Sequence, residues 1–206
     1  MKTGKLYGVG IGPGDPQYLT LRAADVLRSV DVVSVISPNA LNSVSQSVVD
    51  YLQPRGEVRL QVFSMSRDKT IREEQVRANA EAIIAELRAG HDCAFATLGD
   101  AMTYSTFGYV LEIIRKAIPN LDLEVIPGIT SFATLTAKAG TVLVENGEQL
   151  RIIPSFRAEM AEALDFPKGS TTILLKSYRS RGALLDRLAR EEKVQVLYGE
   201  HLAMKD

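Results

Sequence analysis

Residues 8–16 read Gly8-Val9-Gly10-Ile11-Gly12-Pro13-Gly14-Asp15-Pro16, four glycines at alternate positions followed by an aspartate between prolines. The apolar, β-prone run Lys5 to Ile11 makes this the loop that leaves a first strand. Glycine-rich loops in that position usually cradle phosphate, yet both phosphate fingerprints fail. Counting G-x-G-x-x-G from Gly8 and Gly10 puts Pro13 at the third glycine; counting from Gly10 and Gly12 puts Asp15 there. Pro13 and Pro16 also oppose the helix that must open at such a loop. The nucleotide-binding G-K-[ST] ending is absent. What remains is either a tight turn without a ligand or a ligand approached closely by bare backbone.

From this loop outward the chain alternates strands with helices. Thr20 caps a helix with the stripe Leu21, Ala24 and Leu27. Val32 to Ile36 reads as a buried strand, halted at Ser37-Pro38. Leu41, Val44, Val48 and Leu52 share a helical face, and Val58, Leu60 and Val62 alternate as in a half-exposed strand. A long helix carries Val76, Ala80, Ile83 and Leu87 and stops at Gly90. Strand Cys93 to Leu98 and a helix lined by Phe107, Val110, Leu111 and Ile114 follow. After Ile118-Pro119-Asn120 come strand Leu121 to Ile126, a helix from Thr130, strand Leu150 to Ile153 and a short helix through Met160 and Leu164. Strand Thr171 to Lys176, a helix with Leu184, Leu185 and Leu188, and strand Val194 to Tyr198 complete the pattern. The expectation is an α/β fold in two lobes, 1–117 and 118–206, with strand direction in the second lobe open.

Composition narrows the chemistry. With 46% hydrophobic and 24% charged residues, the 206-residue chain has the make-up of a soluble globular protein. No run of about 18 apolar residues exists to span a membrane. The start MKTGKLYGVG is too short and glycine-rich for a signal peptide, which points to the cytoplasm. A net charge of −1 argues against nucleic-acid binding. Cys93, His91 and His201 are the only cysteine and histidines, too few for a disulfide or a thiolate–imidazole metal site. Cys93 reads as a small buried hydrophobe and His201 as a surface residue.

Three further loops lie at strand ends, where ligands collect in open α/β sheets. They are Thr97-Leu98-Gly99-Asp100-Ala101-Met102-Thr103-Tyr104-Ser105, Pro127-Gly128-Ile129-Thr130-Ser131 and Lys176-Ser177-Tyr178-Arg179. Asp100 is either a turn or cap residue or, in so hydroxyl-rich a loop, a base or ligand-orienting carboxylate. Tyr104 and Tyr109 read as core rings with solvent-facing hydroxyls. Lys176 and Arg179 are solvated charges or partners for an acidic substrate.

Taken in order, YGVGIGPGDPQYLTLRA, TLGDAMTYSTFGYV, PGITSFA and LRIIPS resemble the S-adenosylmethionine-dependent tetrapyrrole methyltransferases of cobalamin synthesis, over Lys5 to about Glu200. The GDAMTYSTFGYV stretch is similar to the C20-methyltransferases acting on precorrin-2 or cobalt-factor II. The resemblance implies two α/β lobes with the cofactor, S-adenosyl-L-methionine, in a cleft between them, a tetrapyrrole substrate and a homodimer. The sequence departs from the family in two places: many relatives continue through another helix and strand after the Tyr198-Gly199-Glu200 strand end, and the Pro38 to Ser45 loop is short where a longer segment is common. By the same resemblance Pro13 and Gly14 shape the cleft floor and Tyr18 closes over it. Gly99, Asp100, Ala101, Thr103 and Tyr104 form the main cofactor loop, Thr130 and Ser131 a hydroxyl pair, and Ile153 and Pro154 a wall. Lys176, Tyr178 and Leu202 complete the cofactor set. Asp100 is then expected to accept the proton that the ring carbon loses after methylation. Arg67, Arg151 and Lys176 are candidates for the substrate carboxylates. The alternatives are a sibling methylase with another target, such as a diphthine synthase, or a cofactor-binding relative without catalysis.

Overall fold

The structure, a computed structural model, describes residues 2–38, 43–63, 68–154, 156–192 and 194–203. The chain divides into two compact units, Met1–Ser131 with His201–Asp206, and Phe132–Glu200.

In the first unit, strands β1 (Leu6–Gly10), β2 (Val32–Ser37), β3 (Glu57–Val62), β4 (Cys93–Thr97) and β5 (Leu123–Ile126) form one sheet, with order β3-β2-β4-β1-β5. Every neighbouring pair is parallel. Parallel pairing requires a crossover between consecutive strands. Helices α1 (Leu21–Ser29), α2 (Val44–Tyr51), α3 (Lys69–Ala89) and α4 (Phe107–Ala117) supply the four crossovers.

Local sequence sets their ends. Thr20 Oγ1 accepts from the Ala23 amide at 3.1 Å and Ser43 Oγ from the Gln46 amide at 3.1 Å. Gly90, at φ 94°, closes α3 in the left-handed conformation that glycine adopts freely. Strand alternation feeds two cores, one on each sheet face. Leu6, Val32, Cys93 and Phe95 pack with α3 and α4; Val9, Val33, Val35, Ala94 and Ala96 pack with α1 and α2. Cys93 is buried as expected, and burial pushes its thiol up to about 12, which makes it inert.

The second unit holds a two-stranded parallel sheet of β6 (Gln149–Ile153) and β7 (Ser170–Leu174), with helices α5 (Ser131–Ala139), opening at the division between the units, and α6 (Arg181–Leu188). Phe156, Ala161 and Leu164 form its small core, against which Ile153, Leu174 and Leu184 pack.

Three expectations change. The division does not fall at 117/118, because β5 pairs with β1 and the Pro119 turn lies inside the first unit. The segment through Met160 forms only a 3-10 turn, Ala158–Met160. Val194 to Tyr198 forms no strand among the described residues. The Pro38 to Ser45 segment lies partly outside the described residues, at 39–42. No helix among the described residues is long and apolar enough to cross a membrane.

One ion cluster ties β1, α1 and β5 together. Glu124 accepts from Arg22 Nε at 2.8 Å and Nη2 at 2.9 Å, and from Lys5 Nζ at 2.9 Å. The Arg22 fork first, then Lys5, holds the Glu124 carboxyl down at about 2, against an ordinary value of 4.5. A folded-state value below the unfolded one gives stability that is present above pH 4.5 and lost as pH falls toward 2. Urea unfolding of wild type and Glu124→Gln across that window checks this. The stability gap between them is expected to close as the pH falls; a gap independent of pH removes the ion cluster as its source.

Candidate functional site

The parallel register brings the carboxyl ends of β1, β4 and β5 level. Gly10 stands opposite Thr97, and Val9 opposite both Ala96 and Ile126. Their three loops leave one edge together and lock at backbone level. Gly12 and Gly99 exchange hydrogen bonds, Gly12 N to Gly99 O at 3.2 Å and Gly99 N to Gly12 O at 2.7 Å. A Cβ on Gly10 would stand 2.6 Å from Gly128 N and 2.7 Å from Gly99 O. One on Gly128 would stand 2.1 Å from Gly99 O and 2.7 Å from the Gly10 carbonyl carbon. The glycines thus serve first to let three backbones touch. Gly99 differs: it has φ 73°, and nothing lies within 4 Å of where its Cβ would be, so one backbone surface of the junction stays open. Pro13 is buried beside it, while Tyr18 is half-buried with its backbone carbonyl 3.1 Å from the Cβ position of Gly12.

Asp100 fastens the junction. Its Oδ1 accepts from Met102 N at 3.0 Å and Thr103 Oγ1 at 2.8 Å, and its Oδ2 accepts from Gly128 N at 3.1 Å. Burial pulls the carboxyl up, but these donors and the Thr103 amide outweigh it and hold the group below the ordinary aspartate value. Four donors match about four lone-pair positions on a carboxylate. Ala101 behind it is fully buried.

Further along the loop, Ser105 Oγ donates to Thr97 Oγ1 at 3.3 Å and accepts from Phe107 N at 3.1 Å. Met102, Thr103 and Tyr104 face outward. Tyr104 sits at φ 51°, a left-handed conformation that a bulky residue rarely keeps without a purpose. The core placement of Tyr104 and Tyr109 is corrected: the residues are 50% and 66% exposed. Thr130 directly precedes α5 and Ser131 opens it, and Leu202 is half-buried in the 201–206 segment of the first unit.

In the second unit the two strand ends lie side by side. Leu175 N donates to Ile153 O at 2.9 Å and Phe156 N to Leu175 O at 3.3 Å. This sets Ile153, half-buried, and Pro154, exposed, next to the Lys176–Tyr178 turn. Lys176 has φ 57° and, like Tyr178, is exposed. Arg151, a candidate for substrate, pairs with Asp165, its Nη2 2.8 Å from Asp165 Oδ1. Arg67 lies outside the described residues. Sequence reasoning placed Gly10 and Gly128 in the loops but missed them as the contact points; their only signal was glycine at two neighbouring strand ends.

The carboxyl edge of the first unit offers the open Gly99 backbone, carbonyls and hydroxyls, and it exposes no phosphate fingerprint. Those groups fit a small donor that backbone must approach closely. Fold and edge together define an α/β class in which glycine-bearing loops gather at the end of a parallel sheet. The chain belongs to the tetrapyrrole methylases: the family described as Tetrapyrrole (Corrin/Porphyrin) Methylases matches residues 5–206. This chain is an S-adenosylmethionine-dependent tetrapyrrole C-methyltransferase. It is 38% identical over 179 residues to a cobalt-precorrin-2 C(20)-methyltransferase of Salmonella typhimurium, covering 85% of this chain and 73% of the relative. A precorrin-2 C(20)-methyltransferase of a Sinorhizobium species is 28% identical over 213 residues, covering 98% and 86%. The crystal structure of uroporphyrin-III-C-methyltransferase from Thermus thermophilus superposes with a TM-score of 0.62 at 27% identity, over 92% of this chain and 75% of that one.

Because the Gly128 neighbours are backbone atoms that cannot rotate away, Gly128→Ala is expected to cost about 1–3 kcal/mol of unfolding free energy. Gly108, inside α4 with open space around it, is the control: Gly108→Ala is expected to stabilise by roughly 0.5–1 kcal/mol. Equal effects from the two alanines in urea titrations would refute the junction.

Proposed function

We propose that this protein transfers a methyl group from S-adenosylmethionine to C20 of a precorrin-2-type tetrapyrrole in cobalamin biosynthesis, as a cytoplasmic homodimer. The observation that carries the reading is the 38% identity to a C(20)-methyltransferase across 85% of the chain. The GDAMTYSTFGYV loop at the junction adds to it. When bound, S-adenosylmethionine supplies a methyl group on a sulfonium centre that is already electrophilic. The protein's part is therefore to bind, align and dry the reactants, and orientation of that kind supplies about 7–11 kcal/mol in well-aligned systems.

In this reading the cofactor set comprises Pro13, Tyr18, Gly99, Asp100, Ala101, Thr103, Tyr104, Thr130, Ser131, Ile153, Pro154, Lys176, Tyr178 and Leu202. Gly99 offers its unobstructed backbone, and Tyr104 holds its ring out of the loop. Asp100 takes a positioning role in place of the proton-acceptor role expected for it. A carboxylate whose lone pairs are already filled by Gly128, Thr103 and Met102 is a poor acceptor, and its value below the ordinary range weakens it further. The proton on the methylated, cationic ring carbon is acidic enough to pass to water when the product meets solvent.

Two measurements test this. Incubation with precorrin-2 and with its cobalt form is expected to give a product one methyl heavier, with the methyl located at C20 by NMR. A methyl on another ring carbon, or none on either substrate, overturns the assignment. Asp100→Asn must turn an N–H toward one of the N–H donors, so calorimetry with S-adenosylhomocysteine is expected to show binding weakened about tenfold or more. Unchanged affinity with turnover abolished would return the proton-acceptor role to Asp100.

A further inference from the structure

The second unit uses its arginines in two ways. Arg151, Arg157, Arg187 and Arg190 each pair with a carboxylate: Asp165, Glu159, Glu191 and Glu162. Arg179 and Arg181 have no carboxylate within 4.0 Å among the described residues. Each lies instead on a tyrosine ring, Arg179 Cζ 5.4 Å from the Tyr178 centroid and Arg181 Cζ 4.9 Å from that of Tyr198. Glu200, near Tyr198, accepts the hydrogen bond of the Tyr198 hydroxyl. Tyr178 and Tyr198 are 56% and 49% exposed. Lys176, exposed and left-handed, adds a third cation two residues before Tyr178.

Fold stability does not account for this arrangement. Arg181 opens α6, whose first turn holds no acidic residue. Cations at that end work against the helix dipole. Nor do the rings close a core, since they stand in solvent. A guanidinium laid on an aromatic face keeps its edge N–H groups free, in the fork that matches a carboxylate. Two such forks next to two aromatic rings make a surface for a flat molecule with acidic arms.

We propose that Arg179 and Arg181, seated on Tyr178 and Tyr198, bind side-chain carboxylates of the tetrapyrrole substrate. The inference rests on the ring substrate proposed above and adds the residues that recognise its acidic rim. They act on substrate binding and leave methyl-donor affinity alone.

The probe is uroporphyrin, an octacarboxylate porphyrin, titrated by fluorescence quenching into wild type and the Arg179→Gln/Arg181→Gln double variant at low and raised salt. S-adenosylhomocysteine affinity is measured in parallel. Loss of two charge-assisted contacts is expected to weaken porphyrin binding at least about tenfold and to flatten its salt dependence, with cofactor affinity unchanged. Unchanged porphyrin affinity, or an equal fall in cofactor affinity, overturns the proposal. If thermal unfolding shows the double variant destabilised, the single variants Arg179→Gln and Arg181→Gln carry the same readouts. Binding needs no turnover, so the two readings fail separately. Porphyrin affinity lost in the variant of a wild type that does not methylate C20 removes only the substrate assignment. Intact affinity in the variant of a wild type that does methylate C20 removes only this inference.

Discussion

The first unit depends on three peptide backbones meeting where side chains would forbid it. Gly10, Gly99 and Gly128 approach so closely that a Cβ on Gly10 or Gly128 would stand 2.1–2.8 Å from its nearest neighbours, all of them main-chain atoms. Packed interiors cannot absorb such an overlap by rotating a side chain. The loops after β1, β4 and β5 can therefore share one edge only while these positions stay bare. Asp100 makes the meeting specific: its two oxygens accept from two different loops and so fix their relative register.

The same economy reaches below the loops. A Cβ on Gly8 would stand 2.2 Å from Phe107 Cε1, so the first ring of α4 lies directly on β1. Phe107 also packs on Phe95 at 5.4 Å, and Phe95 on Phe63 at 6.1 Å edge-on. The start of α4 is thus pinned to the sheet, and the loop ahead of it spans two rigid points. That support lets Tyr104 hold a left-handed backbone, whose cost is about 1–3 kcal/mol. A loop anchored at both ends by core packing is a precise place for a binding group.

Much of this was legible in the sequence because it is local. Alternating hydrophobicity gave the strands, Thr20 and Gly90 marked helix ends, and the glycine runs identified the loops that converge. What was not legible depends on pairing at long range. Pro119 looks like a boundary, yet whether β5 joins β1 is decided by a partner more than a hundred residues away. Tyr104 and Tyr109 carry no sign of which side faces water, since an aromatic residue in the loop before a helix or in its first turn suits core and surface alike. The partner of Arg151 was not legible because Asp165 lies 14 residues on and becomes adjacent only once the chain after the 3-10 turn folds back beside β6. The sparse core of the second unit explains its missing elements. Val196, Leu197 and Tyr198 are β-prone but 40–51% exposed, and alternation alone forms no strand without a neighbour to pair with.

The junction also explains why a glycine loop after a first strand need not take phosphate here. A phosphate site works by leaving several amides unpaired and aimed at one point. In this chain the Gly12 and Gly99 amides are spent on each other's carbonyls, and the Gly128 amide on Asp100. The amides that would hold an anion are consumed in building the junction. What the edge contributes instead is an ionised carboxylate, set below its ordinary value by those same donors, beside carbonyls and hydroxyls. Such surroundings favour positive charge over negative. A pyrophosphate, an anion with no unpaired amide left to meet it among Gly12, Gly99 and Gly128, is therefore disfavoured at this edge.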